Sequence, residues 1–349
     1  MATPPDAALN RLGQIKGVAG TWAAGTTGLD TDRALFLKLG AAEVLDAYLR
    51  ATVFKGTVRE RNIRGGKSVA FPISGKMSAR YHQPGTPILG EGNSPSDLNE
   101  RIINLDALMI ADAAIPQLDE LMAYYDVRSI YTTELGRALA YEYDKRVARM
   151  IFASASNTTE PLALSKNSGR IGSKVTLGTD YTGAGATRQA KGDALVNAIF
   201  DARIAMEAKD VPVDSVTAVF APEDYYAITM SSRAINTDFN GASGSNGTIA
   251  DGKTMRVAGI PIKSSNHVTQ AAYTNVAGDY NPAYAQDLSK CKGLIYSKEA
   301  VGVLTLLSPS LQVTSGDFNI QYQASLLVAR QALGMGTLRS EAAVAVVIP

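Results

Sequence analysis

The sequence predicts an α+β fold, and three segments carry that prediction. Residues 127–151 place apolar side chains at every fourth position, which is typical of a long helix. Residues 69–73 alternate between larger apolar side chains and alanine or proline, which is the two-residue period of a strand. Residues 214–232 begin as an apolar run and pass through Pro222 into a helical pattern, so a buried strand that leads into a helix is expected there.

Composition narrows the classes of function. The chain has 349 residues, of which 46% are hydrophobic and 19% charged, so it can bury a large core beneath a surface of low charge. Such a surface is expected where partners cover much of it, and it also fits a large monomer. The formal net charge of +1 argues against an electrostatic binder of nucleic acid or membranes. The single cysteine, Cys291, excludes an intramolecular disulfide framework and fits a reducing compartment. With no run of about 18 apolar residues and no secretory leader, no membrane contact is expected.

The first half of the chain supplies an arm, two helices and a hairpin. The first 32 residues are rich in Gly, Ala and Thr and are expected to form an extended or mobile arm, and residues 31–51 to form an amphipathic helix. Pro72 places its strand at the edge of a sheet, as one side of a long exposed hairpin. Asp126 is a suitable N-cap for the long helix, which residues 154–157 are expected to end.

The second half mixes helices with strands. Residues 156–190 are polar and glycine-rich, with room for one hairpin. A second amphipathic helix is predicted at 193–210, and strands with turns are predicted at 255–268 and 293–314. The final apolar segment has an ambiguous period until residues 342–348, which have the pattern of a strand.

The triplet Gly66-Lys67-Ser68 matches the last three residues of a nucleotide phosphate-binding loop. In such a loop a glycine stands five residues before Gly66, and a helix follows the serine. Here that position is Arg61, and the residues after Ser68 have the period of a strand. A glycine turn that leads into a strand therefore fits better, and a nucleotide-binding enzyme that uses Lys67 and Ser68 is kept as an alternative.

Charge is distributed unevenly around the predicted hairpin. Residues 55–80 carry seven basic side chains against one acid, whereas residues 91–126 carry eight acids against one arginine. These opposite charges can pair within one subunit, or they can pair between subunits and steer a hairpin onto a neighbouring copy. For pairing between subunits, the candidates are Arg59, Arg61, Arg64 and Lys67 on one side and Asp119, Glu120 and Asp126 on the other.

Side chains for catalysis or metal binding are sparse. The two histidines, His82 and His267, lie in predicted turns, and no signature joins either of them to Cys291. No HExxH, CxxC or calcium-loop pattern is present, so neither a metal site nor a cofactor is predicted. Two pairs of carboxylates, Asp119-Glu120 and Glu223-Asp224, stand at helix starts, where the helix dipole accounts for them. The sequence therefore predicts no enzymatic activity.

Four segments in sequence order carry a resemblance to a known family. They are "ALFLKLGAAEVLDAY", "GGKSVAFPISGKMSARYHQPGTPI", "YYDVRSIYTTELGRALA" and "GMGTLRSEAAVAVV". Together they cover the chain nearly end to end and resemble the major capsid protein of short-tailed, T7-like bacteriophages. The resemblance implies the HK97-type phage capsid fold, with an N-terminal arm, an extended β-hairpin loop, a peripheral domain with a long spine helix, and an axial domain.

The resemblance also implies a division of the chain. By this division Gly66-Lys67-Ser68 would lie on the loop that reaches over a neighbouring subunit. The five parts would be the N-terminal arm and helix at 1–55, the extended loop at 56–105, the peripheral domain with the spine helix at 106–192, the axial domain at 193–305, and strands that return to the peripheral domain at 306–349.

The function implied by the resemblance is structural. The chain would assemble with itself into hexamers and pentamers of an icosahedral head, which encloses double-stranded DNA without sequence-specific binding. Scaffolding and portal proteins would be further partners, and the chain would reside in the virion capsid after assembly in the host cytoplasm. An alternative function with the same fold is that of the shell protein of a cellular nanocompartment.

Overall fold

The structure is a computed structural model, and it describes most of the chain. Some predictions fall outside the described residues, among them the arm at the start of the chain, most of the helix at 31–51, and the N-cap Asp126. The described residues are 44–49, 51–74, 79, 81–85, 87–88, 98–122, 127–158, 170–231, 256–314, 319 and 322–349.

Six helices lie within this part of the chain. They are α1 (residues 44–49), α2 (Gln117–Met122), α3 (Val127–Ser156), α4 (Thr179–Thr182), α5 (Arg188–Glu207) and α6 (Pro222–Thr229). The long helix, the second amphipathic helix and the helix that begins at Pro222 are thereby confirmed. Helix α5 begins at Arg188 rather than at residue 193, because Thr187 caps it and its side chain accepts a hydrogen bond from the Ala190 amide.

Twelve strands form three sheets in the same part of the chain. They are β1 (Arg59–Asn62), β2 (Ser68–Ser74), β3 (Leu98–Asn104), β4 (Met109–Pro116), β5 (Ser173–Thr176), β6 (Val216–Phe220), β7 (Arg256–Val257), β8 (Ile260–Ser264), β9 (Cys291–Ser297), β10 (Val301–Val313), β11 (Ala324–Thr337) and β12 (Ala343–Val347). One sheet has the order β1-β10-β11-β4, and a second has the order β5-β12-β9-β6-β8-β7. Strands β2 and β3 form the third sheet, and the mixture of helices and sheets confirms the α+β class.

Strands β2 and β3 are the predicted hairpin. They pair antiparallel, with Pro72 opposite Glu100. Among the described residues β3 is the one partner of β2, so the placement of Pro72 on an edge strand is confirmed. The base of the hairpin is anchored, because Phe71 belongs to a buried apolar cluster with Ile103, Leu105, Leu304 and Leu338.

The chain divides into two compact units. The first comprises the described residues within 1–52, 108–142 and 307–332, and the second those within 53–107, 143–306 and 333–349. The five-part division expected above concerns roles in an assembly, and it stays a prediction.

In the first unit, α1 packs on the early turns of α3. Gly136 permits this contact, because a Cβ at that position would lie 2.6 Å from the Val44 carbonyl oxygen. Leu135 and Leu139 of α3 are buried as predicted, whereas Tyr131, from the same apolar row, is 42% exposed. A row with a spacing of four residues overshoots each turn and so winds round the helix, which carries its two ends onto different faces.

In the second unit, α5 packs against β5 and β12 of the six-stranded sheet. The helix begins close to α6, because Gly192 has no side chain to collide with the Ala227 carbonyl oxygen. The row predicted to face the core is fully buried, and it consists of Leu195, Ile199, Ala202 and Met206.

The hairpin expected within residues 156–190 is not found in the described part of that segment. Strand β5 pairs in parallel with β12, with Ser173 opposite Val344. Residues 159–169 lie outside the described part, so a hairpin there stays a prediction. The partner of β5 lies far along the chain, and the local sequence carries no mark of it.

Buried charged side chains attach α3 to the rest of the second unit. Asp144 is fully buried and accepts hydrogen bonds from the backbone amides of Val53 at 2.8 Å and Phe54 at 3.4 Å. Arg149 is also buried and donates to the Gln286 carbonyl at 2.8 Å. Each charge is thus bound to backbone groups, as buried polar groups require.

Candidate intersubunit interface

Strand β1 presents two of the predicted basic residues to solvent. It pairs in parallel with β10, and all four of its side chains are exposed. Arg59 and Arg61 share one face of the strand, and Glu60 lies on the other. Both guanidinium groups lie over the ring of Phe71, with Cζ at 5.8 and 5.7 Å from the ring centroid. This stacking orients the guanidinium groups while their N–H donors stay available to a partner.

Arg64 and Lys67 lie in the connection from β1 to β2. Both side chains are exposed. Gly66 has a φ of +108°, a region that favours glycine, so the turn requires that residue. The Lys67 carbonyl accepts a hydrogen bond from the Leu105 amide at 2.9 Å, which fixes the turn next to the end of β3.

The four basic residues lie before the hairpin rather than on its strands. Arg59 and Arg61 belong to the four-stranded sheet, and the hairpin begins at Ser68. Within the described part of the chain, no carboxylate oxygen lies within 4.0 Å of Arg59, Arg61, Arg64 or Lys67. Because a strand and not a helix follows Lys67, the geometry of a nucleotide phosphate-binding loop is contradicted.

A groove beside β1 contains arginines that the sequence analysis did not single out. Its volume is ≈ 360 Å³, and we call it the arginine groove, lined by Arg59, Phe71, Arg170, Glu299, Leu338 and Arg339. Arg339 donates to Glu299 at 2.5 Å and to Glu341 at 2.9 Å, and the Nε of Arg170 lies 3.9 Å from Glu341. The residues that line the groove come from five separate stretches of the chain, so no local motif could have identified it.

The backbone of two of the three acidic candidates lies within the described residues. Asp119 and Glu120 lie on α2, and Asp126 lies outside the described residues. Leu118 and Leu121 of the same helix are 65% and 84% exposed. Helix α2 therefore combines two acids with two leucines that are open to solvent.

Asp106, from the same acidic stretch, belongs to the interior of the second unit. Its carboxylate accepts a hydrogen bond from the Tyr284 hydroxyl at 2.7 Å and lies 3.8 Å from Arg146. Burial raises the pKa of Asp106, and the bonds to Tyr284 and Arg146 oppose that shift. The acidic stretch at 91–126 is thus not a single surface.

Asp224 has a buried partner in addition to the helix dipole. It lies in the first turn of α6, and its side chain is buried and accepts a hydrogen bond from the Tyr181 hydroxyl at 2.5 Å. Burial raises the pKa of Asp224. Its place at the start of α6 is consistent with the dipole, whereas its burial and its tyrosine partner depend on the tertiary fold.

Cys291 has the environment of a core residue. It is fully buried, and burial raises the pKa of its thiol to about 12, so it stays a neutral thiol at physiological pH. His82 is exposed. The described residues contain no cluster of three or more side chains suited to a metal ion. Among the described helices, none is long and apolar enough to cross a membrane.

Comparison with known sequences agrees with a capsid protein. Residues 70–347 match the family described as Gp10A-like, major capsid protein. The major capsid protein of Escherichia phage T7 is 30% identical over 332 residues, which cover 90% of this chain and 92% of that protein. The major capsid protein of Enterobacteria phage T3 is 29% identical over 326 residues, with the same coverage.

Solved structures share the fold. The capsid structure of cyanophage P-SCSP1u has a TM-score of 0.72 and 31% identity, and the match covers 85% of this chain and 88% of that one. The mature capsid of bacteriophage PhiM1 has a TM-score of 0.67 at 15% identity, with 85% and 87% covered. A virus-like particle from Pyrococcus furiosus has a TM-score of 0.52 at 13% identity, with 89% and 99% covered, and shows likeness of fold alone. The chain has the HK97-type fold and belongs to the Gp10A-like family of major capsid proteins, the structural proteins that form the heads of phages.

Proposed function

We propose that the chain assembles into hexamers and pentamers, which close into an icosahedral head around double-stranded DNA. The observation that supports this most is the match to the T7 and T3 capsid proteins over 90% of the chain. Scaffolding and portal proteins are further partners, and assembly takes place in the host cytoplasm. The net charge of +1 suits a shell round DNA, because a strongly basic lining would bind densely packed phosphates too tightly for release.

Within this assembly each part of the chain has its own role. Residues 1–55 serve as an arm, 56–105 as the extended loop, 106–192 as the peripheral domain, 193–305 as the axial domain, and 306–349 as strands that return to the peripheral domain. The extended loop reaches over a neighbouring subunit, and the anchoring of Phe71 in a buried cluster supports it as a stiff base for such a loop.

The contact between subunits uses opposite charges. Arg59, Arg61, Arg64 and Lys67 of one copy dock on acids of the next, with Asp119, Glu120 and Asp126 as the candidates. The exposure of the four basic side chains supports this proposal. A single exposed ion pair contributes only about 0–1 kcal/mol, so the contact gains its strength from repetition around closed symmetry.

A shell that encloses no viral genome is the second candidate. The likeness in fold to the virus-like particle from Pyrococcus furiosus favours it. Sequence identity favours the phage head, at 31% for the cyanophage capsid against 13% for that particle. The contents of purified particles separate the two, since a phage head holds double-stranded DNA.

The test is microscopy of the purified chain together with a charge reversal. The unmutated chain is expected to form closed shells in negative-stain images and in sedimentation. The triple variant Arg59→Glu, Arg61→Glu and Arg64→Glu is expected to keep its helical circular dichroism but to form no shells, and reversal of the acids to lysine is expected to restore part of the assembly. A small monodisperse oligomer from the unmutated chain would refute the capsid function. Normal shells from the triple variant would mean that the charges pair within one subunit.

A further inference from the structure

We propose that the arginine groove binds helix α2 of a second copy of this chain. The carboxylates of Asp119 and Glu120 would take the guanidinium groups of the groove. The inference rests on the proposed self-assembly, and it narrows the contact between subunits to one groove and one helix.

The groove has a surplus of positive charge. Arg59, Arg170 and Arg339 line it, and Arg61 lies over the ring of Phe71, which forms part of the floor. Two carboxylates oppose these four guanidinium groups: Glu299 pairs with Arg339, and Glu341 pairs with Arg339 and approaches Arg170. Two positive charges are left over, and a ligand with two neighbouring carboxylates would balance them.

The floor of the groove is apolar and fixed. Phe71 and Leu338 are each 5% exposed and pack in the cluster that contains Ile103 and Leu304. The guanidinium groups of Arg59 and Arg61 lie over the ring of Phe71. The positive charge of the groove is therefore held in a fixed place, and carboxylates are the groups that match it.

Helix α2 has two neighbouring acidic positions beside exposed leucines. Its sequence is QLDELM, in which Asp119 and Glu120 stand between Leu118 and Leu121. Residues three apart are neighbours on one face of a helix, so the two leucines form an apolar face, and the acidic positions flank that face on either side. Both leucines are more than half exposed, as expected of side chains that await a partner.

A second copy fits the groove better than a nucleic acid does. Glu299 stands in the lining with 48% of its side chain exposed, where its charge would repel a chain of phosphates. The groove has two unbalanced guanidinium groups, which a helix with two acidic positions matches, whereas a nucleic acid brings a long run of negative charge.

The first experiment compares two charge reversals of equal size. Arg59→Glu with Arg61→Glu alters the groove, whereas Arg137→Glu with Arg188→Glu alters exposed residues outside both the groove and the proposed contact. We expect the first pair to abolish shells in sedimentation and the second pair to leave most of the assembly intact. Equal loss in both would show that assembly depends on overall charge and would overturn the assignment to the groove.

The second experiment mixes two defective variants. Asp119→Lys with Glu120→Lys should by itself also fail to form shells. When this helix variant is co-expressed with the groove variant, the new lysines meet the new glutamates while native arginines meet native acids. Mixed particles that contain both chains are therefore expected. If the charges paired within one chain, mixing would rescue nothing, and that result would refute the proposal.

The third experiment does not depend on charge or on full assembly. Arg59→Cys and Leu121→Cys are placed on separate chains, both with Cys291→Ser, and the chains are mixed under mild oxidation. A reducible dimer is expected from the mixture and from neither chain alone, and its absence would overturn the inference even if the charge variants fail to fold. If the groove variant instead forms normal shells that contain no DNA, the groove binds nucleic acid rather than helix α2.

The outcomes separate the two levels of the proposal. If the unmutated chain forms no shells, the proposed function fails. If it forms shells that the groove and helix variants also form, the assembly stands and the groove inference alone is refuted.

Discussion

Replacing Asp144 with asparagine is expected to remove a pH dependence from the stability of the folded chain. Asp144 has no exposed surface and accepts hydrogen bonds from the amides of Val53 and Phe54. Burial raises the pKa of this carboxyl to about 6 from an ordinary value of 3.8. The two hydrogen bonds and the positive charge of Lys263 act in the opposite direction, but the loss of solvation outweighs them.

The direction of the effect follows from where the proton is held. Between about pH 4 and about pH 6, the folded chain keeps a proton on Asp144 that the unfolded chain has released. The free energy of unfolding therefore falls as the pH rises through this window. A shift from 3.8 to about 6 corresponds to about 3 kcal/mol, which is a large part of the stability of a folded domain.

The assay is denaturant unfolding of the unassembled chain between pH 4 and pH 8. Other buried carboxyls, Asp106 and Asp224 among them, also titrate, so the informative quantity is the difference between the unmutated chain and Asp144→Asn. Asparagine removes the charge and keeps one acceptor for the Val53 amide, so the variant should gain in relative stability as the pH rises. Asp201→Asn, at an exposed position on α5, is the control and should not. A difference for Asp144→Asn that is flat across this range, or of the opposite sign, would refute the reasoning.

Three further predictions concern folding and ligand binding. Leu139 is 1% exposed and Ile130 is 52% exposed, so Leu139→Asp should prevent soluble folding while Ile130→Asp is tolerated; equal yields and circular dichroism would show that the register of α3 is wrong. Gly192→Ala should lower the melting temperature by several degrees, because the new Cβ would collide with a carbonyl of α6. Gly185→Ala, where the new Cβ meets open space, should not lower it. Equal melting temperatures of the two variants would contradict the close approach of α5 and α6. Calorimetry should detect no binding of ATP, and micromolar binding that Lys67→Ala removes would revive the nucleotide alternative.

The long helices and several strands could be predicted because their signals are local, whereas no local pattern predicts the short helix α4 or the strands β1, β4 and β5. Each residue of the α5 row that runs from Leu195 to Met206 is fully buried, since a regular apolar spacing leaves one face to bury. The charged residues of α3 could not be assigned in this way. A periodic apolar row places the charged side chains of a helix on its solvent side. Asp144 and Arg149 are nevertheless buried, because Asp144 accepts a hydrogen bond from a backbone amide and Arg149 donates one to a backbone carbonyl, both far along the chain.

For the candidate interface, too, only the local features could be predicted from the sequence. The run of basic residues indicated that Arg59 and Arg61 would lie at the surface, and they do. Their stacking on Phe71, and the groove that Arg59 shares with Arg170 and Arg339, depend on strand pairing between distant segments. Such pairing, as between β1 and β10, follows from the packed fold and has no local pattern in the sequence.

The position of β12 has a consequence for the order of events during synthesis. This strand lies between β5 and β9, and Ala343 to Val346 are fully buried there. While the ribosome is still making the residues between β9 and β12, the hydrogen-bonding groups along one side of β9 have no strand to pair with. An open strand edge of this kind can join the wrong chain, so a nascent chain is prone to aggregate until residue 347 has emerged. The six-stranded sheet then closes in one late step, which links entry into the shell to the synthesis of β12.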